Sequence, residues 1–197
     1  MAGDRVVTVP NLLSLARLGL AVVFFVAVER SAAVAAFWLF VVAASTDWVD
    51  GWWARRFGQV SRLGRIFDPL VDKVLICGAW VLLAARGEAA AIAPWMAVVV
   101  VVRELVVTAL RAEMERAGRD FSAGLAGKLK MVLQCAAVAL ELGARAWPDV
   151  AVADVGLGTL ATWTAWAAVA ATVWSGLEYV VAAVPVIVRD AGGAPRP

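Results

Sequence analysis

The sequence contains no histidine, only two cysteines and few charged residues, and each shortage excludes a class of chemistry. Without histidine, the chain has neither an imidazole general base nor an imidazole metal ligand. Cys77 and Cys135 lie far apart within apolar runs, which favours packed thiols over a disulfide or a cysteine-ligated metal. The formal net charge of +2 is too small to indicate a nucleic-acid partner. Any catalysis must therefore depend on carboxylates, lysine, arginine and bound metal.

Apolar residues are in excess, at 63% of the chain, and the mean hydropathy is +0.83. Soluble domains are usually about half apolar, and runs of roughly 20 apolar residues are long enough to cross a bilayer. We therefore predict an all-α integral membrane protein, a single-domain bundle of six transmembrane helices. The predicted spans are 11–29, 32–55, 65–85, 90–115, 125–146 and 156–188. We expect a disordered tail at 189–197 and no cleaved signal peptide at the N-terminus.

Lysine and arginine are concentrated on alternate connections, which predicts the orientation of the bundle. The N-terminal segment and the second and fourth connections hold Arg5, Arg55, Arg56, Arg62, Arg65, Arg116 and Arg119. The other connections hold only Arg30, Arg86 and Arg145. Both termini are therefore expected to face the cytoplasm. Ionisable residues from four helices then fall in the cytoplasmic half of their spans: Arg17, Asp47, Asp50, Asp68, Asp72, Lys128 and Lys130.

Four aspartates form the densest signal in the sequence. Asp47 and Asp50 are spaced i, i+3, and Asp68 and Asp72 are spaced i, i+4, so each pair shares a helix face. Like charges this close to lipid are very costly unless cations neutralise them. Oxygen ligands without histidine or cysteine select Mg²⁺, Mn²⁺ or Ca²⁺, and Mg²⁺ favours a phosphate-bearing substrate. Helix capping and pairing with arginines would explain one such aspartate, but hardly four.

The residues beside these aspartates suit a nucleotide diphosphate. Gly51 and Ala54 lack bulk on the helix face next to the carboxylates, so a nucleotide can approach the backbone there. Arg55 can bind a diphosphate with its forked guanidinium. The residues themselves thus indicate a site for metal and phosphate.

The pattern D-x2-D-G-x2-A-R-x8-G-x3-D-x3-D resembles the signature of the CDP-alcohol phosphotransferase family at every fixed position. Those positions are Asp47, Asp50, Gly51, Ala54, Arg55, Gly64, Asp68 and Asp72. The resemblance implies a six-helix homodimer in the bacterial plasma membrane with its active site at the cytoplasmic face. It implies that Asp47, Asp50 and Asp68 chiefly hold a pair of Mg²⁺ or Mn²⁺ ions. Asp72 would be the general base and would also touch metal.

The resemblance also implies the substrates. The CDP-linked lipid, CDP-diacylglycerol, is expected to contact Asn11, Asp50, Gly51, Ala54, Arg55 and Gly64. The segments at 10–17, 103–111 and 122–130 resemble the branch that uses glycerol 3-phosphate as acceptor. The acceptor phosphate is then expected to be bound by Arg103, Arg111, Lys128 and Lys130, with Glu104 orienting a guanidinium. Anchoring to anionic lipid is the alternative for such cations, and it fits Arg116 and Arg119 better.

Other functions remain open at this point. Within the same reaction class, the acceptor would be phosphatidylglycerol in a cardiolipin synthase, or an inositol phosphate or serine. Buried acids within six spans also occur in transporters of divalent cations or protons. Clustering of the acids at one face, and the lack of paired interrupted segments in the sequence, argue against transport. A purely structural role leaves the acids unexplained.

Overall fold

Six α-helices make up most of the residues that the structure describes, as the excess of apolar residues predicts. The computed structural model describes residues 9–57, 64–87, 90–116 and 124–191, and the side chains of 15–46, 70–71, 73–87, 90–116 and 124–185. In chain order the helices are α1 (Val9–Glu29), α2 (Ala33–Phe57), α3 (Gly64–Ala84), α4 (Pro94–Arg116), α5 (Leu125–Ala146) and α6 (Leu157–Ala191). Helix α6 therefore continues three residues into the predicted tail, and residues 192–197 lie outside the described ranges.

The chain reverses between α1 and α2 through a tight helix-ending motif. Ser31 adopts a left-handed conformation with φ of 57°. Its N–H donates to the Val28 carbonyl, and the Ala32 N–H donates to the Ala27 carbonyl, each at 3.0 Å. This pair of bonds is the Schellman arrangement, which satisfies the last carbonyls of a helix. Arg86, two residues beyond the end of α3, also donates to the Val28 carbonyl and so ties the end of the third helix to this reversal.

Helix α4 begins later than the sequence predicted. The predicted span starts at residue 90, whereas the helix starts at Pro94, a residue favoured in the first turn because its missing N–H is not needed there. Just before it, the Ala91 N–H donates to Glu141 Oε2 at 3.0 Å. That bond to α5 holds the segment in a non-helical conformation.

A short hairpin between α5 and α6 was not predicted. Its strands are β1 (Ala151–Val152) and β2 (Val155–Gly156), which pair antiparallel. The two residues between them, Ala153 and Asp154, have φ of 49° and 63°. Positive φ at both central positions is typical of a type I′ turn, which joins strands with their natural twist. Alanine is unusual at such a position, so sequence rules for hairpins do not find this turn.

The helices pack through small residues. Helix α1 contacts α2 and α3, α4 contacts α3 and α6, and α5 contacts α2, α3 and α6. Around Phe24, Phe40 and Trp80, the buried core is rich in alanine. At Gly78 of α3, an added Cβ would lie 2.4 Å from the ring of Phe25, so only glycine allows this approach of α1 and α3.

The outer surface of the described bundle is apolar. Leu105, Trp174 and Val181 are exposed by 65%, 65% and 71%, and many other large apolar side chains are similarly exposed. Contiguous apolar surface on this scale marks a surface that meets lipid or a partner. Among the described residues, only Leu157–Pro185 is both long and apolar enough to cross a bilayer by length and composition; Ala33–Thr46 and Lys73–Ala84 are shorter apolar helices.

Candidate functional site

A buried carboxylate on α4 joins two cations from different helices. Glu104 is 8% exposed, and its Oε1 accepts a hydrogen bond from Arg103 Nη1 at 3.1 Å. The same oxygen accepts a hydrogen bond from Lys130 Nζ, which α5 contributes and which is 6% exposed. Glu104 therefore contacts the Arg103 guanidinium that the sequence analysis expected it to orient.

Helix α6 supplies the opposite wall of this site. Arg103 Nη2 donates to Ser175 Oγ at 3.0 Å, and Arg111 Nη2 donates to the Tyr179 hydroxyl oxygen at 2.9 Å. The ring centroid of Tyr179 lies 5.6 Å from the guanidinium carbon of each arginine. Distances of this size allow a cation to be attracted by the ring face. One aromatic ring thus contacts both arginines.

A neutral polar pair lies beside the charged residues. Gln134 of α5 donates through Nε2 to Thr172 Oγ1 of α6 at 2.8 Å, and both side chains are fully buried. Thr172, Ser175 and Tyr179 are spaced i, i+3, i+7, so they lie on one face of α6. These residues form a polar stripe on a largely apolar helix.

A hydrogen bond connects the charged residues of α4 to the helix that carries Asp72. Lys73, the next residue in α3, donates through Nζ to Thr108 Oγ1 on α4. The Thr108 hydroxyl in turn donates to the carbonyl of Glu104, one turn earlier. The part of α3 that includes Asp72 therefore lies level with the middle of α4.

Among the side chains that the structure describes here, positive charge exceeds negative charge. We call Lys73, Arg103, Arg111 and Lys130 the cation cluster; Glu104 is the one carboxylate that the described contacts bring to it. The Nε atoms of Arg103 and Arg111 are buried and have no hydrogen-bond partner among the described residues. Unpaired buried donors are costly. An anionic ligand with several oxygen atoms would satisfy both the charge and the donors.

The structure brings together three of the predicted acceptor-binding residues. Arg103, Arg111 and Lys130 meet around Glu104 and Tyr179. Lys128 is exposed, because a residue two positions from Lys130 lies roughly 200° around the helix. Within the described ranges, no contact joins Lys128 to the cation cluster.

The predicted metal-binding and CDP-lipid-binding residues lie in helices α1, α2 and α3. The structure describes the backbone of those segments but not the side chains of these residues. Asp47, Asp50, Gly51, Ala54 and Arg55 lie in the last turns of α2, Gly64, Asp68 and Asp72 in the first half of α3, and Asn11 near the start of α1. Their roles stay predictions. Among the side chains that the structure describes, no three acids or cysteines are placed to hold a metal ion.

Sequence reasoning missed the contribution of α6 and of Lys73. The signal was present, because Thr172, Ser175 and Tyr179 fall at helical spacing within an apolar run. Tyr179 is also the only tyrosine of the chain. Polar residues that recur on one face of an apolar helix indicate a polar neighbour inside the bundle.

An apolar groove runs along α2 and α5 towards the predicted aspartates. Its volume is about 550 Å³, and its lining includes Phe40, Ala44, Ser45, Met131 and Cys135. Ser45 lies two residues before Asp47 in α2. The groove is wide and apolar enough to accommodate a hydrocarbon chain.

Comparison with known proteins places this geometry in a family. Residues 7–174 match the family model described as CDP-alcohol phosphatidyltransferase. The chain is 36% identical over 149 residues to the CDP-diacylglycerol–glycerol-3-phosphate 3-phosphatidyltransferase of Bacillus subtilis (strain 168), covering 72% of this chain and 69% of that protein. It is 36% and 35% identical over 185 residues to the proteins of the same name from Shigella flexneri serotype 5b (strain 8401) and Escherichia coli (strain K12), covering 89% of this chain and 94% of each relative.

Proposed function

We propose, since the chain belongs to the CDP-alcohol phosphatidyltransferase family, that it transfers the phosphatidyl group of CDP-diacylglycerol to sn-glycerol 3-phosphate. The acceptor hydroxyl oxygen bonds to the phosphorus of the phosphatidyl group, and the bond from that phosphorus to the oxygen of CMP breaks. The products are phosphatidylglycerophosphate and CMP. The relatives described above are named for this activity, and the chain matches them over most of their length.

The cation cluster is the observation that carries the choice of acceptor. Glycerol 3-phosphate brings a phosphate monoester with close to two negative charges at neutral pH. Lys130 is buried and Arg103 and Arg111 are half-buried, with Glu104 as the one carboxylate that the described contacts bring to them. Cations withdrawn from water in excess of carboxylates are destabilising, and a bound anion offsets that cost. Phosphatidylglycerol has only a singly charged diester, and serine has no phosphate, so neither needs a cluster of this size. An inositol phosphate has the same monoester charge, and the names of the relatives favour glycerol 3-phosphate over it.

The connection through Lys73 supports the position of the acceptor hydroxyl. Lys73 follows Asp72 directly and bonds to Thr108, which lies between Glu104 and Arg111 on α4. A phosphate held by the arginines therefore leaves the rest of the small acceptor near the α3 segment that contains Asp72. Asp72 takes the proton of the attacking hydroxyl, a transfer that contributes roughly 10²–10⁴-fold to the rate.

The family uses divalent metal ions, and the donor set of this chain fits hard cations. We assign Asp47, Asp50, Asp68 and Asp72 as the ligands of a pair of Mg²⁺ or Mn²⁺ ions, because four carboxylates without histidine or cysteine prefer such ions. When bound, the metal polarises the phosphoryl group and stabilises negative charge on the leaving CMP. Asn11, Gly51, Ala54, Arg55 and Gly64 contact the CDP-lipid, whose acyl chain lies in the groove between α2 and α5.

The membrane arrangement follows from the same proposal. All six helices cross the bacterial plasma membrane, both termini and the active site face the cytoplasm, and the protein is a homodimer. The apolar outer surface supports this placement. Helices α4 and α5 carry charged residues, but Glu104, Lys130 and Glu141 are buried inside the bundle. Ionisable residues of membrane helices usually face the bundle interior in this way.

Purified protein supplied with CDP-diacylglycerol, Mg²⁺ and one labelled acceptor at a time tests the proposal. CMP should be released with glycerol 3-phosphate, and not with phosphatidylglycerol, an inositol phosphate or serine. Release with phosphatidylglycerol alone would show a cardiolipin synthase instead. Metal uptake into proteoliposomes that CDP-diacylglycerol does not affect would favour a transporter.

The role of Asp72 has its own test in the same assay. Asp72→Asn should lower CMP release by on the order of 10²–10⁴-fold while Mn²⁺ binding, followed by calorimetry, largely remains. The control is Asp149→Asn, which changes an exposed acid in the connection after α5. A loss of only a few-fold with Asp72→Asn would contradict its role as the base.

A further inference from the structure

The face of α6 that contains Ser175, Gly176 and Tyr179 forms a seat for the two arginines of α4. We propose that this α6 seat holds Arg103 and Arg111 side by side as one phosphate-binding fork, so that Tyr179 and Gly176 are positioning residues for the acceptor phosphate. The inference rests on the proposed function. It adds to the acceptor site a helix, α6, that the sequence analysis predicted only as a membrane span.

Gly176 provides the space in which Arg103 lies. A Cβ added at this glycine would come within 3.1 Å of Arg103 Cγ, closer than ordinary contacts of such atoms. The aliphatic part of Arg103 therefore lies directly on the backbone of α6. From there Nη2 reaches Ser175 Oγ at 3.0 Å and Nη1 reaches Glu104 at 3.1 Å. The side chain, which is 10% exposed, is held from both sides.

Tyr179 holds the second arginine and contacts both positive charges. Its hydroxyl accepts a hydrogen bond from Arg111 Nη2 at 2.9 Å, and its ring lies 5.6 Å from both guanidinium carbons. Two guanidiniums repel each other, but the negative face of an aromatic ring attracts each of them. Tyr179 is 6% exposed, so little water weakens this attraction.

The contacts to α6 leave the Nε donor of each arginine unused. A guanidinium binds phosphate with two parallel N–H donors. In both Arg103 and Arg111, Nε is buried and has no hydrogen-bond partner among the described residues. The α6 seat and Glu104 thus use donors at the Nη atoms and leave Nε for a ligand. A phosphate with three terminal oxygens can accept from both arginines.

Steady-state kinetics on Tyr179→Phe, Tyr179→Leu and Gly176→Ala, in the full-length protein in detergent, test the α6 seat. Tyr179→Phe loses one bond to a charged group and should raise the KM for glycerol 3-phosphate about tenfold. Tyr179→Leu also loses the ring and should raise it further, to about 50-fold. Gly176→Ala should push Arg103 aside and raise the same KM about fivefold. The KM for CDP-diacylglycerol should change less than twofold throughout.

The matched control is Val181→Ala, which removes an apolar side chain, 71% exposed, from the same helix. It should leave both KM values unchanged. Intermediate behaviour of Tyr179→Phe between wild type and Tyr179→Leu is the result that a merely structural tyrosine would not give. The positioning role predicts a selective rise in the KM for glycerol 3-phosphate. If the Tyr179 variants instead lower kcat alone, or raise both KM values equally, that role is wrong.

Binding of inorganic phosphate separates this inference from the proposed function. Phosphate should raise the Tm of the wild-type protein, since a ligand of the folded state stabilises it, and the concentration needed should rise about tenfold in Tyr179→Phe. If wild type rejects glycerol 3-phosphate but this phosphate effect persists, the acceptor is wrong and the α6 seat stands. If wild type uses glycerol 3-phosphate and no Tyr179 variant changes phosphate binding, the α6 seat is wrong.

Discussion

Two buried glutamates, Glu104 on α4 and Glu141 on α5, have opposite surroundings. Glu104 bonds to Arg103 and Lys130, with Arg111 nearby, so positive charge is in excess. Glu141 is 2% exposed and pairs with Arg145, whose Nε and Nη2 lie 2.8 and 2.7 Å from Oε1. Its other oxygen accepts the Ala91 N–H. Among the described side chains, several cations lie around Glu104, whereas Glu141 pairs with one arginine.

The comparison shows that burial of charge does not identify a functional site by itself. The balanced Glu141 pair has a structural explanation, because it fixes the segment before α4 against α5. At Glu104, folding alone would favour as few buried cations as possible, since each costs several kcal/mol when it is left without a partner. An excess of buried cations with unused hydrogen-bond donors therefore indicates a ligand. The size of the excess positive charge indicates how much negative charge that ligand carries.

The largest difference between the two sites should appear in substrate affinity. Arg103→Ala removes charge-assisted bonds to the acceptor phosphate, so we expect the KM for glycerol 3-phosphate to rise on the order of 100-fold. Arg145→Ala should leave that KM within twofold, although the protein becomes less stable. Initial rates of CMP release at varied acceptor concentration measure both. Equal effects of the two substitutions would remove the distinction between the sites.

The second prediction concerns stability and depends on the excess of positive charge around Glu104. Glu104→Gln leaves the cations around it without a countercharge, and Glu141→Gln leaves Arg145 unpaired; each should lower the free energy of unfolding by about 2–4 kcal/mol. Saturating inorganic phosphate should restore much of the Tm lost in Glu104→Gln, because the anion replaces the missing charge. It should restore none in Glu141→Gln. Thermal unfolding of both variants with and without phosphate provides the comparison.

The helices were predictable from the sequence to a greater extent than the site. Apolar runs determine where helices form, so all six helices begin and end within four residues of the predicted spans. The later start of α4 and the hairpin before α6 depend on particular bonds and on the positive φ of Ala153 and Asp154. Such details arise from tertiary contacts and turn strain, which apolar periodicity does not encode.

For the site, residue spacing predicted which side chains of one helix share a face, but not which helices meet. Arg103 and Arg111 share a face of α4 as their spacing requires. That the facing helix is α6, with Tyr179 in contact with both arginines, follows only from the packing. The same limit explains Lys128, which was grouped with Lys130 by proximity in sequence although two residues in a helix point apart. The aspartates, by contrast, were selected by their spacing, and their roles stay predictions.

A smaller effect should distinguish the two lysines of α5. Lys130→Ala removes a buried cation of the cluster and leaves Glu104 with one partner fewer, so the KM for glycerol 3-phosphate should rise about tenfold. Lys128→Ala changes an exposed side chain and should alter that KM less than threefold, because exposed charges are well screened in water. Kinetics at low and high salt provide the control. A larger effect of Lys128 would show that it reaches the substrate from its exposed position.

The smallest expected effect on substrate affinity is at the neutral pair formed by Gln134 and Thr172. Thr172→Val removes the acceptor of the Gln134 Nε2–H bond and leaves that buried amide without a partner, which should cost about 1–3 kcal/mol of stability. Because neither residue contacts the cation cluster directly within the described ranges, both KM values should stay within twofold of wild type. Thermal unfolding beside the kinetic assay measures the two effects independently. A selective rise in the KM for glycerol 3-phosphate would mean that the functional part of α6 begins about one turn before Ser175. The Gln134–Thr172 pair would then belong to the site around Glu104.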